Sequence, residues 1–117
     1  MIIANLSTQE VVAHQAVLAD TTFTRMKGLL GRTGLKDGEA LVITQCNSIH
    51  MFFMKFPIDV IFVDASWQVV GLVRAIKPFG LSPVFWKAVI AVEMNAGTID
   101  RLGLSVGQQF YLDKSKG

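Results

Sequence analysis

The chain has 117 residues, of which 51% are apolar and 17% charged, with a net charge of +2. That length suits one domain over residues 1–117, and that apolar share excludes a disordered chain. The basic residues are scattered, without the stripe of cations and aromatics that a nucleic-acid partner requires.

Ile2 to Leu6 and Glu10 to Val17 are short and β-branched, and read as two strands joined at Ser7-Thr8-Gln9. Asp20-Thr21-Thr22 offers oxygens to the free N–H groups of a helix start. Phe23, Met26, Leu29 and Leu30 follow at helical spacing, with Gly28 inside the helix as a close-packing point and Gly31 and Gly34 ending it. Ala40 to Thr44 reads as a buried strand. Three antiparallel strands are then expected, over Ser48 to Met54, Ile58 to Asp64 and Trp67 to Ile76. Turns at Lys55-Phe56-Pro57 and Ala65-Ser66 would join them, since Pro57 lacks an N–H and suits a turn or strand edge.

Lys77 to Pro83 is a loop with two prolines and a glycine. Its apolar members and the residues after it, Phe79, Leu81, Phe85 and Trp86, suggest packing on the body or lining of a groove. Ala88 to Met94 is the next strand. Thr98 can cap a helix of one or two turns through Leu102, which Gly103 stops in a left-handed conformation. A final strand runs from Gln109 to Asp113.

The single cysteine, Cys46, forms no internal disulfide, so nothing points to an oxidising compartment. Met1-Ile2-Ile3-Ala4-Asn5 lacks the basic and apolar regions of a signal peptide. The apolar runs are broken by His50, Lys55, Asp59 and Asp64, short of the ~20 residues of a membrane helix. A cytoplasmic protein with no membrane or nucleic-acid partner is expected.

The most distinctive stretch runs from Cys46 to Asp64, Cys-Asn-Ser-Ile-His-Met-Phe-Phe-Met-Lys-Phe-Pro-Ile-Asp-Val-Ile-Phe-Val-Asp. It resembles the central block of domain-of-unknown-function family 192, found in bacteria and archaea. Arg25 to Arg32 is similar to that family's helix block, Val92 to Gly97 to its later strand and turn, and Gly103 to Gly107 to its final turn. At position 51 this chain carries Met where the family block has a small polar residue. The resemblance implies an α+β fold, mainly an antiparallel barrel-like β-sheet with one or two short helices. It implies no reaction.

In an alternating strand, Ser48, His50, Phe52 and Met54 share one face, and Ile49, Met51, Phe53 and Lys55 the other. Asp59 falls on the face of Ile61 and Val63, and Glu93 on that of Val89 and Ala91. Both acids are costly to bury without partners. Hairpin geometry puts Asp59 within reach of Lys55 or His50, and Arg25, Arg32 and Arg74 are further candidate partners. His50, Asp59 and Glu93 thus form either a polar cluster in a pocket or satisfied pairs that fix strand register.

A Cys46–His50 nucleophile pair would need a bend at Asn47, since four extended residues span about 13 Å. An inert thiol is the simpler reading. Cys46, His50 and His14 lack metal-ligand spacing, and Met51, Met54 and Met94 suit core filling better than copper binding. Gly28, Gly31 and Gly34 lack the register of a phosphate loop. No metal or cofactor is expected.

Three functions remain. The first is a binding module in which Phe52, Met54, Phe79 and Trp86 line a groove for a small molecule or peptide. The second is a hydrolase with His50 as acid/base, oriented by Asp59. The third is an interaction module that pairs through an exposed strand edge.

Overall fold

The structure is a computed structural model and describes residues 1–52 and 54–115. The position expected for Phe53 lies outside the described residues, as does the face expected for the Phe23 side chain. Two sheets dominate. The first is antiparallel with the order β2-β1-β8, from β1 (Ile2–Asn5), β2 (Glu10–Ala13) and β8 (Phe110–Asp113). The second has the order β3-β4-β7-β5-β6, from β3 (Gln15–Ala19), β4 (Glu39–Thr44), β5 (Ile58–Val63), β6 (Val69–Ile76) and β7 (Ile90–Asn95). Within it β3 and β4 are parallel and every other pair is antiparallel.

Hydrogen bonds also run between the sheets. Met1 exchanges bonds with Ala16 at the β3 side. At the other end Val69 N–H donates to Gln108 O at 2.9 Å and Phe110 N–H to Trp67 O at 2.8 Å. Among the described residues two short helices complete the fold, α1 (Thr22–Lys27) and α2 (Thr98–Arg101). Among the described residues no helix is long and apolar enough to cross a membrane.

All six β5 residues are buried, because this strand is paired on both edges and covered on both faces. Ile61 and Val63 face the core between the sheets, with Ile3, Val92, Met94 and Phe110. Ile58, Val60 and Phe62 face a second core, with Met51, Ala91 and Leu29. Loops cover that second side. Phe85 tilts against Phe62 with ring centroids 4.6 Å apart, and a Cβ at Gly71 would collide with the Phe85 ring.

Four sequence expectations are corrected. Ser48 to Met54 is not a strand. β5 already has β6 and β7 on its edges, so the segment has no β5 edge to join and bonds to the 79–85 loop. The expected strand from Glu10 to Val17 is two strands, because His14 and Gln15 both turn their N–H groups to Gly38 O. Gly28 lies at the end of α1, where its φ of +50° terminates the helix. Thr98 does not cap α2. Gly97 holds the cap position, and Thr98 Oγ1 donates to Asn95 instead. The start of α1 is as expected: Thr21 Oγ1 accepts from Thr24 N–H at 3.1 Å, and Thr24 Oγ1 accepts from Thr21 N–H at 3.1 Å.

Candidate functional site

Asp59 shares its face with Ile61, as the alternation requires, and is 1% exposed. A buried carboxylate needs donors, and here all are main-chain N–H groups. Oδ1 accepts from Ala75 at 2.8 Å, and Oδ2 from Gly97 at 3.1 Å and Ile99 at 2.9 Å. The side chain ties β5 to β6 and to the start of α2, whose own cap residue has no side chain. It also holds Ala75, a non-glycine residue at φ +46°. Neither Lys55 nor His50 reaches it. The expected arginines are engaged elsewhere: Arg74 with Asp100 at 2.8 Å and Arg32 with Glu39 at 3.1 Å.

Glu93 has a different environment. It lies on β7 between Leu41 of β4 and Val60 of β5, both apolar. Strand alternation sends it to the loop-covered side, with Ala91. It is 6% exposed, and among the described residues no donor bonds its carboxylate. No fully enclosed side-chain oxygen lacks a partner among them, so this carboxyl group keeps an opening. The opening is a cavity of about 140 Å³. Burial pushes the Glu93 carboxyl up to about 7.

The cavity lies between β7, the α1 segment and the loop from Cys46 to Met54. Backbone bonds fix this loop to the next one. Met51 N–H donates to Gly80 O at 2.8 Å, Phe79 N–H to Met51 O at 2.7 Å, and Phe85 N–H to Asn47 O at 2.8 Å. His50 forms an isolated bridge with Leu81. Cys46, His50, Phe52 and Met54 line the cavity, joined by Met51, Arg25 and Lys27. The Cys46 thiol donates to Ser48 O at 3.1 Å, and burial pushes it up from 9.0. The exposed His50 ring lies 4.9 Å from that of Phe52.

Of the residues singled out from sequence, His50, Glu93, Phe52 and Met54 therefore meet at one cavity, and Asp59 lies apart from it. Phe79 and Trp86 are outside its lining, and Trp86 is 85% exposed. The expectation of His50 and Asp59 on adjoining strands fails with the missing strand. Met51, which strand alternation puts on the face opposite His50, instead plugs the second core. Arg25, a candidate partner of the two acids by sequence, reaches the cavity of Glu93 without pairing to it, and Lys27 joins it there with only the helix block as a signal in the sequence. A larger concavity of about 440 Å³ lies beside β3 and β4, but its acid, Glu39, is paired with Arg32. Among the described residues no three His, Cys, Asp or Glu side chains group to hold a metal ion.

A mostly β fold with a loop-covered cavity over a mixed sheet is the class that these features define. The chain belongs to DUF192, described as "Uncharacterized ACR, COG1430", whose model matches residues 3–112. It is 35% identical over 109 residues to a UPF0127 protein of Thermococcus sibiricus (strain DSM 12597 / MM 739), covering 90% of this chain and 70% of that protein. A protein of unknown function from Novosphingobium aromaticivorans DSM 12444 has a similar structure, with a TM-score of 0.82 and 25% identity, over 95% of this chain and 82% of that one. A protein of Sinorhizobium meliloti 1021, described as a candidate transcription regulator, has a TM-score of 0.80 at 20% identity, over 94% of this chain and 89% of that one. That last likeness shows the fold alone.

Proposed function

We propose that this protein is a small cytoplasmic binding module that takes a small molecule into the cavity above Glu93. In this reading the two sheets, bonded to each other at both ends, act as one barrel-like body that holds the floor still. The observation that carries the reading is Glu93 itself. An acid that is buried, without a partner among the described residues and open to a cavity costs stability in the free protein, and a ligand with hydrogen-bond donors offsets that cost. The apolar walls from Met51 and Met54 suit the ligand's body.

Methionine-methyl NMR with a library of small fragments tests the reading. Binders should shift the methyl signals of Met51 and Met54 and leave that of Met94, in the core between the sheets, in place. Fragments that bind without moving either cavity methyl would refute it.

Contact with an acidic protein surface is a second reading. It is favoured by the exposed loop of Leu81, Val84 and Trp86 beside Lys77 and Lys87, with no Asp or Glu from position 65 to 92. Binding of a polyglutamate-rich peptide that is lost in Trp86→Ala and in Lys87→Glu would support it. Binding unchanged in both would dismiss it.

A further inference from the structure

The cavity carries charge of both signs, and the two signs do not pair with each other. Glu93 is the buried acid of its floor. Arg25 and Lys27 of α1 stand at its more exposed side. No ion pair joins Glu93 to either base. One Arg25 N–H, from Nη1, donates to Asp20 O at 2.7 Å. A guanidinium has five donors, and no other bond from it to the described residues is present. Once Glu93 is ionised, the site is therefore negative at its buried side and positive at its more exposed side, and Met51, Met54 and Leu29 give its lining an apolar share.

A ligand that satisfies both ends carries its charges in the reverse order, cation inward and anion outward. An alkylammonium alone would leave the basic mouth unmatched, and a carboxylate alone would meet the Glu93 carboxyl or leave it buried and unpaired. Size narrows the class further. A dry cavity of about 150 Å³ holds a benzene molecule, close to the 140 Å³ here. We infer that the cavity takes a small zwitterion, an amino acid of roughly six to eight non-hydrogen atoms, with its ammonium on Glu93 and its carboxylate on Arg25. Three ammonium donors suit the bare Glu93 carboxylate, and the planar guanidinium fork suits a carboxylate in two-point contact. This assignment rests on the cavity being a binding site and names what it binds.

Calorimetric titration of the full chain at about pH 8, above the value of about 7 to which Glu93 is raised, compares four probes of one chain length. They are 4-aminobutyrate, butylamine, butyrate and butanol, with the methyl signals of Met51 and Met54 followed in parallel. 4-Aminobutyrate should bind at least about tenfold tighter than the other three. Glu93→Gln and Arg25→Gln should each remove about tenfold of that affinity, and Arg25→Gln should leave butylamine nearly unchanged.

If Glu93→Gln does not fold, the wild-type chain at about pH 6 replaces it, and 4-aminobutyrate should bind about tenfold more weakly there. The charged or titratable groups facing Glu93 are Arg25 and Lys27 from α1 and Cys46 and His50 from the loop, while β4 and β5 present Leu41 and Val60. The same loss in His50→Gln assigns the effect to Glu93. Butyrate or butylamine binding as tightly as 4-aminobutyrate would overturn the zwitterion. Butanol entering alone would also overturn it while leaving the cavity a binding site. No probe moving either methyl would overturn both.

Discussion

Replacing Asp59 with asparagine exchanges one carboxylate oxygen for an NH2 group and hardly changes the side chain's shape. The wild-type carboxylate accepts three main-chain N–H groups, two on one oxygen and one on the other. The best asparagine orientation keeps Gly97 and Ile99 on its remaining oxygen and turns its NH2 towards Ala75 N–H, donor against donor. Hydrogen bonds to a charged group contribute about 1.5–3 kcal/mol, and a buried unsatisfied group costs about 1–3 kcal/mol. The expected loss for Asp59→Asn is therefore about 2–3 kcal/mol. At a urea slope of about 1–3 kcal/mol/M, this lowers the unfolding midpoint by about 0.7–3 M.

Asp59→Ala leaves all three donors bare and should cost about 4 kcal/mol or more, a large part of a small domain's stability. Ala75 supplies a control. Its φ of +46° disfavours a Cβ, so Ala75→Gly in the wild type should hold stability or gain up to about 1 kcal/mol. Urea denaturation followed by circular dichroism reads all three variants. An Asp59→Asn midpoint and slope equal to wild type would refute the clamp.

Three further outcomes follow from the geometry. Unfolded Glu93 ionises near 4.5 and folded Glu93 near about 7, so the folded state binds more protons between them. Its contribution makes stability fall as pH rises across that window, by on the order of 3 kcal/mol in all, and then level off. Urea melts at a series of pH values should show this slope in wild type and lose it in Glu93→Gln. Cys46 should react slowly with a thiol reagent at neutral pH, because burial raises its thiol; fast labelling that slows in His50→Gln would contradict this. Trp86→Ala should change stability by no more than about 0.5 kcal/mol, since the ring is 85% exposed; a larger loss in chemical denaturation would show that the ring packs on the body.

What the sequence revealed was local. The strand from Ile58, the turn after Asp64 and the Thr21 cap each rest on a few neighbouring residues, and all are present. Ser48 to Met54 alternates like a strand, but no local pattern says whether a neighbouring edge is already filled, and β5 has none to offer. The two acids separate for a related reason. Alternation placed Asp59 and Glu93 on faces that would bury them, so the need for partners was visible. The partners of Asp59 are main-chain N–H groups, which every non-proline residue carries and no side chain advertises. Among the described residues Glu93 is left bare because Arg32 and Arg74 bond to other acids and Arg25 to a carbonyl, choices set by the assembled fold.

The pairing of β1 with β8 has a consequence for how the chain folds. Asn5 and Gln108 bond side chain to side chain at 2.9 Å across 103 positions of sequence, so nearly the whole chain must be gathered before this seam can form. Contacts of such long range slow folding, towards milliseconds to seconds in domains of this kind. Until β8 arrives, the edge of β1 is a bare row of main-chain donors and acceptors, able to pair with another unfinished chain. Refolding yield should therefore drop with protein concentration even where the finished fold is stable, and a brief excess of a peptide matching Phe110–Asp113 should compete at that same edge.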